Sequence, residues 1–241
     1  MDVLKIPKQG PVIALDGPAG TGKSTATKRL AERLQFVHVD TGALYRALAY
    51  VLRSQGRWTT GATDAERAAA ENLAREIHLE FRFDAKAQPK NRIIANGQDV
   101  TDFIRTPENS LAASGVSSVP GVRAALLGLQ RRLGCQGRTI LEGRDIGTVV
   151  FPDADVKFFL TASSETRARR RLAELEAGGG EVPSFEELKT QIEARDAADA
   201  GRAIAPLKQA DDAILVDTTH LTLDEVVEFL ARKVHERLGP V

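Results

Sequence analysis

The chain has 241 residues, 42% of them hydrophobic, with 33 basic side chains balanced by 33 acidic ones. That length supports one large domain or a core with a sizeable insertion, and the neutral balance speaks against a broad basic face for nucleic acid. A single Cys135, four scattered histidines, no apolar run of membrane-spanning length and no secretory h-region leave a cytoplasmic enzyme without disulfide, metal cluster or membrane partner as the expectation.

The first ten residues read as a loose extension. Val12 to Leu15 is an apolar run that passes through Asp16 into Gly17-Pro18-Ala19-Gly20-Thr21-Gly22-Lys23-Ser24-Thr25 and then into a helical pattern through Leu30 and Leu34. Strand, glycine-rich loop and helix in that order, with Gly17, Gly22, Lys23 and Ser24 at G-x-x-x-x-G-K-[ST] spacing, define a P-loop. Glycines let backbone N–H groups bend around phosphates, the lysine reaches their outer oxygens, and the serine hydroxyl ligates Mg²⁺. Lys23 is expected on a solvent-open loop.

A short second strand at Phe36 to Val39 leads into Asp40-Thr41-Gly42-Ala43-Leu44-Tyr45-Arg46, which opens a helix with Leu44, Leu48, Val51 and Leu52 on one face. Asp40 and Thr41 fit either a helix cap or a ligand contact; Tyr45 and Arg46, one turn in, fit ligand contact. Thr63-Asp64-Ala65-Glu66 is a capping box. Alternation over His78 to Phe83 and the hairpin signal Asn96-Gly97 after Arg92-Ile93-Ile94-Ala95 then place short antiparallel strands in a separate lobe, residues 45–115. Helices near Glu108 to Ser117 and Gly121 to Leu133 follow, divided by Pro120.

Arg138 to Leu141 is the third core strand, ending in Glu142-Gly143-Arg144-Asp145-Ile146-Gly147-Thr148. Charged residues at the carboxyl end of a strand lie where open α/β sheets bind ligands; a surface turn with a salt bridge is the alternative. Val156 to Leu160 and Ala213 to Val216 supply two more strands, and Thr222-Leu223-Asp224-Glu225 caps a closing amphipathic helix. Between them, Arg167-Ala168-Arg169-Arg170-Arg171 precedes a Gly178-Gly179-Gly180 hinge, and Ser184-Phe185-Glu186-Glu187 starts a helix carrying Arg195, Asp196, Asp199 and Arg202. Arg195 and Arg202, seven apart, are expected on nearly one helical face with Asp199 between them. For Arg167, Arg169 and Arg171 a solvated face laced with ion pairs and a functional role both fit; the flanking glycines favour a mobile lid. Arginine supplies 23 of the 33 positive charges, and its planar fork suits oriented phosphates.

Four segments together resemble the bacterial cytidylate kinases of the nucleoside monophosphate kinase group: Gly17 to Thr25, Asp40 to Arg46, Glu142 to Pro152, and Arg195-Asp196 through Asp199 to Arg202-Ala203-Ile204-Ala205-Pro206-Leu207. The Asn96-Gly97 hairpin matches the insertion of the longer bacterial members. The resemblance implies an α/β P-loop nucleoside monophosphate kinase fold. Its five-stranded parallel core would span 11–44 and 116–241, with a small helical lid at about 163–205 and the inserted monophosphate-binding lobe at 45–115.

It further implies ATP-dependent phosphorylation of CMP and dCMP, with Mg²⁺, by a monomer. Gly17, Pro18, Ala19, Gly20, Thr21, Gly22, Lys23, Ser24 and Thr25 would hold ATP, with the metal on Ser24. Thr41, Tyr45 and Arg46 would line the monophosphate site, and Ser114, Arg123 and Asp145 would read cytosine. Arg144 and Arg202 would grip phosphate, Arg195 and Asp199 would contact the sugar, and Arg170 matches a lid arginine; Lys23, Arg144, Arg170 and Arg202 form the implied catalytic set. Glu142 stands where relatives often carry Asp and reaches one methylene further, and Ala198 and Ala200 stand where relatives often add arginines. Two other classes share parts of this pattern. A P-loop kinase for UMP or shikimate would use the same phosphate machinery, while a non-catalytic nucleotide switch has no need for the second phosphate-suited set, Arg46, Arg144 and Arg202.

Overall fold

The computed structural model describes residues 7–59, 63–84, 86–87, 89, 91–178 and 182–240. Most of the expected N-terminal extension, and Gly179 and Gly180 of the expected hinge, lie outside the described residues; Gly178 closes a helix. By internal packing the chain divides into two units, Asp40–Gln130 and the described residues on either side of it.

Elements are numbered along the chain. The flanking unit opens with β1 (Val12–Asp16), α1 (Lys23–Leu34) and β2 (Val37–Asp40), whose last residue crosses the division. The unit Asp40–Gln130 holds α2 (Thr41–Ser54), α3 (Asp64–Glu76), β3 (Leu79–Phe83), β4 (Asn91–Ala95), β5 (Gln98–Asp99) and α4 (Pro107–Ser117). Helix α5 (Pro120–Gly134) leads back to β6 (Thr139–Glu142), a π-helical turn at Ile146–Val150, and β7 (Val156–Thr161). The chain closes with α6 (Ser164–Gly178), α7 (Phe185–Ala200), β8 (Ile214–Asp217) and α8 (Leu223–Leu238).

The five core strands form one sheet in the order β2-β6-β1-β7-β8. Central β1 pairs in parallel with β6 on one side and β7 on the other, Ile13 facing Ile140 and Val156. Val12 through Leu15 are fully buried, as a strand covered on both faces must be. Ile13, Leu15, Phe158 and Leu160 pack with Leu30 and Leu34 of α1 and with Val226, Leu230 and Val234 of α8. Because the sheet grows both ways from β1, the carboxyl end of β1 is the switch point at which ligands enter such sheets, and the glycine loop begins there.

In the other unit β3, β4 and β5 form an antiparallel sheet. Asn96 (φ 48°) and Gly97 (φ 83°) both take the left-handed backbone that a two-residue hairpin turn demands. The capping boxes at Thr63–Glu66 and Thr222–Glu225 form as expected, and Ser184–Glu187 makes a third.

The structure departs from expectation after β6 and at the end of α7. The segment after β6 is a π-helical turn, organised by a carboxylate from β1 as described below. Arg202 also lies past the end of α7, beyond the capping residue Gly201, so it does not share a helix face with Arg195. No described helix is long and apolar enough to cross a membrane.

Candidate active site

The glycine loop is shaped by its neighbours. Gly17 has φ 145°, and a Cβ there would stand 2.1 Å from the Leu160 carbonyl oxygen of β7, so only glycine fits this close approach. Gly22, at φ 81°, ends the loop as the N-terminal residue before α1 and makes no side-chain cap. The first N–H groups of any helix find no acceptor within it, and together with the helix dipole they make an anion site. Ser24 and Thr25 are exposed on that first turn. Lys23 is only 6% exposed, which corrects the expectation of a solvent-open residue: its stem is packed into the unit.

Asp16 is 4% exposed at the end of β1. Its carboxylate accepts from the Ile146 N–H at 2.8 Å and the Gly147 N–H at 2.7 Å, which fixes the start of the π-helical turn. Burial pushes its pKa up to about 6, against the pull of those two donors; Asp145 adds repulsion and Lys23 a smaller attraction. Beside it, Glu142 at the end of β6 is 2% exposed, and its Oε1 lies 3.0 Å from His38 Nε2 of β2.

Three of the singled-out residues meet at one point. Asp199, 1% exposed on α7, accepts from Arg144 Nε at 3.0 Å through one oxygen and from Arg202 through the other. Arg202 reaches back to it from outside the helix. Arg195 lies one turn before Asp199 and is partly buried. Arg170 of α6 donates to Thr218 O at 2.7 Å, Thr218 Oγ1 at 3.1 Å and Thr21 O at 3.3 Å, tying the glycine loop to the segment after β8. Of the other arginines of α6, Arg169 is exposed and Arg171 pairs with Glu174, as a solvated face requires, whereas Arg167 is buried and paired with Asp196.

The unit Asp40–Gln130 gathers a second set. Asp40 caps α2, one oxygen accepting from the Ala43 N–H at 3.1 Å, and its other oxygen takes Arg46 Nη2 at 2.6 Å and Arg105 Nη2 at 3.1 Å. Thr41 is buried beside it. Arg123 sits over the Tyr45 ring, 5.5 Å from its centre, and donates to Ser117 O at 3.3 Å. Gln130, two turns along α5 from Arg123, donates to Tyr45 Oη at 3.3 Å. Ser114 is half-buried on α4.

The sequence matches the family described as cytidylate kinase over residues 13–236. The chain belongs to the cytidylate kinase family. It is similar to a cytidylate kinase of Geobacter sp. (strain M21), 50% identical over 232 residues, covering 96% of each chain. A cytidylate kinase of Syntrophotalea carbinolica is 48% identical over 226 residues, 94% of this chain and 92% of that one. A bifunctional pantoate ligase/cytidylate kinase of Synechococcus sp. is 46% identical over 97% of this chain and 43% of its own length.

A cytidylate kinase needs a nucleoside triphosphate as donor, and the donor set here suits one accompanied by Mg²⁺. No group of three His, Cys, Asp or Glu fit to hold a metal occurs among the described residues. The Ser24 hydroxyl, an oxygen donor of the kind Mg²⁺ takes, is exposed on the first turn of α1. Asp16, Arg105 and Gln130 are not singled out in the sequence, and the pairing of Arg167 with Asp196 is not foreseen there. For Asp16 a signal exists, a carboxylate closing an otherwise apolar buried strand; the other three depend on contacts between distant segments.

Proposed function

We propose that the chain transfers the γ-phosphoryl group of ATP to CMP and dCMP, giving ADP with CDP or dCDP. Family membership across residues 13–236, around an intact glycine loop, carries this reading. An acceptor phosphate oxygen forms the new bond to the γ-phosphorus while the bond to the β–γ bridging oxygen breaks, and the electron pair leaves with ADP. No general base is needed, because the second pKa of a phosphate monoester is about 6 and the attacking oxygen is already ionised. Catalysis then consists of alignment and charge neutralisation.

In this assignment Gly17 to Thr25 cradle the ATP phosphates and Lys23 neutralises them. Ser24 would hold Mg²⁺, which when bound would supply further charge neutralisation. Thr41, Tyr45 and Arg46 contact the acceptor phosphate, and Arg144 and Arg202 hold phosphate oxygens. Arg195 and Asp199 contact the sugar, while Ser114, Arg123 and Asp145 read the base: a carboxylate suits the cytosine amino group and a guanidinium suits N3 or O2. Arg170 joins the ATP phosphates by exchanging its bonds to Thr218 and Thr21. Closure of the outer part of the α6–α7 lid, beyond the Arg167–Asp196 pair, excludes water as a competing acceptor. The proposed setting is the cytoplasm and the proposed working unit a monomer.

The test is ADP release from ATP with CMP, dCMP, UMP and shikimate in turn. The reading predicts fast release with the two cytidine nucleotides and slow release with the others. Comparable rates with UMP or shikimate would move the acceptor assignment. Nucleotide binding without product would leave only a nucleotide-dependent binding module.

A further inference from the structure

Besides an exposed hydrogen bond from Ser164 of α6 to Glu193 at 2.7 Å, the C-terminal half of α7 has two buried ties to the rest of its unit. One tie is Asp199 with Arg144. The other comes one turn earlier on the same face, where Asp196 lies 2.6 Å from Arg167 Nη2 of α6. Arg167 is 5% exposed, and an arginine is almost never so buried unless it is paired.

Its donors go to three separate segments. Nε donates to Ala162 O at 3.0 Å, just past β7, and Nη1 donates to Ala19 O in the glycine loop at 3.2 Å. Nη2 goes to Asp196 of α7. The stem is enclosed too, since a Cβ at Gly20 would stand 3.1 Å from Arg167 Cβ. The guanidinium cannot turn toward a nucleotide without releasing strand end, loop and helix together.

We propose that Arg167 is a positioning residue for phosphoryl transfer, registering α7 against the glycine loop so that Arg195, Asp199 and Arg202 stand at a fixed height and rotation. The proposal rests on the kinase reading above. The other contacts of α7 with the start of α6, Ser164 to Glu193 and Lys189 to Glu165, end on α6 itself, whereas Arg167 carries the tie on to Ala19 of the glycine loop. The two ties also end on the two segments that carry the phosphate chemistry, the glycine loop through Ala19 and the turn after β6 through Arg144. A misplacement of about 1 Å in such groups costs on the order of 10²-fold in rate. The loss therefore falls on turnover, where alignment counts, more than on ground-state affinity.

The experiment is steady-state kinetics of the full chain for Arg167→Met, which keeps an apolar stem and removes the donors, Asp196→Asn, and the double variant. Arg167→Met is expected to lower kcat about 30- to 100-fold with KM for CMP and ATP within about 3-fold. Asp196→Asn should lower kcat about 10-fold, and the double variant should be no slower than Arg167→Met, because both changes cut one tie. Phosphoryl transfer to water, read as inorganic phosphate, should rise relative to transfer to CMP, read as CDP, a partition that loss of folded protein leaves unmoved.

Unchanged kcat in Arg167→Met, additive losses in the double variant, or a 10-fold rise in KM for ATP with kcat kept would each overturn the proposal; the last would put Arg167 on the nucleotide itself. Should Arg167→Met fail to fold, Asp196→Asn decides alone, and a parental kcat and partition there would overturn it. A parent chain without CMP-dependent ADP release would remove the kinase reading and this proposal together. An active parent with an indifferent Arg167→Met removes only the positioning role.

Discussion

Asp16 makes the stability of this protein depend on pH in a direction opposite to that of most acidic side chains. In an unfolded chain its pKa is 3.8, and in the native protein it is about 6, because burial outweighs the two backbone donors of the π-helical turn. The native state therefore holds the proton more tightly than the unfolded state does. The stabilisation is complete below about pH 4, is lost as pH rises toward 6, and stays lost above that. A shift from 3.8 to about 6, at 1.36 kcal/mol per pH unit, amounts to about 3 kcal/mol. Asp16→Asn supplies a reference of the same shape that does not titrate. Urea unfolding of both chains between pH 4 and 7.5 should show the parent losing about 3 kcal/mol relative to the variant, nearly all of it below about pH 6. Parallel curves would mean that Asp16 is not desolvated in the folded protein. A parent that gains stability on the variant as pH rises would mean that the Ile146 and Gly147 N–H groups win over burial.

Lys23→Met keeps the buried stem and removes the charge, so activity should fall about 10²- to 10³-fold with only a small change in Tm; parallel loss of Tm and activity would make Lys23 structural. Gly17→Ala drives a methyl to 2.1 Å from Leu160 O at a backbone angle that disfavours any side chain, and should cost about 3 kcal/mol or more in chemical unfolding; a cost under about 1 kcal/mol would show that β7 gives way. Asp145→Asn should narrow the CMP to UMP ratio of kcat/KM, because an amide can turn its NH₂ toward the uracil O4, and each lost charged hydrogen bond is worth roughly 10- to 150-fold. An unchanged ratio with lowered activity would confine Asp145 to shaping the turn after β6.

The parts of the fold visible in the sequence are those fixed by local pattern. Val12 to Leu15 announces a buried strand by an unbroken apolar run and Val156 to Leu160 by one that only Lys157 interrupts, and Thr63, Ser184 and Thr222 announce helix starts by the acidic partner three residues on. Asn96-Gly97 announces a hairpin because both residues tolerate positive φ. What stayed hidden depends on distant partners. The π-helical turn at Ile146 exists because a carboxylate 130 residues earlier takes its N–H groups. For Arg167 the sequence leaves a solvated helix face and a functional role equally open, and only the contacts with Asp196 and Ala19 set it apart from Arg169 and Arg171.

The candidate site shows the same division. The glycine loop and the order of charged segments were legible, and with them the family. The seven-residue spacing of Arg195 and Arg202 suggested a shared helical face, yet Gly201 ends the helix first, and Arg202 reaches Asp199 by doubling back. Lys23 looked exposed because its loop is polar, and packing of the first turn of α1 buries it.

The measurement that tests the central claim most directly is a single turnover with ATP labelled at the γ-phosphate and excess enzyme and CMP, followed by separation of the nucleotides. The kinase reading predicts the label in CDP, in an amount matching the ADP formed, with little inorganic phosphate. Label released as inorganic phosphate at the same rate with and without CMP, or label retained in ATP, would contradict it.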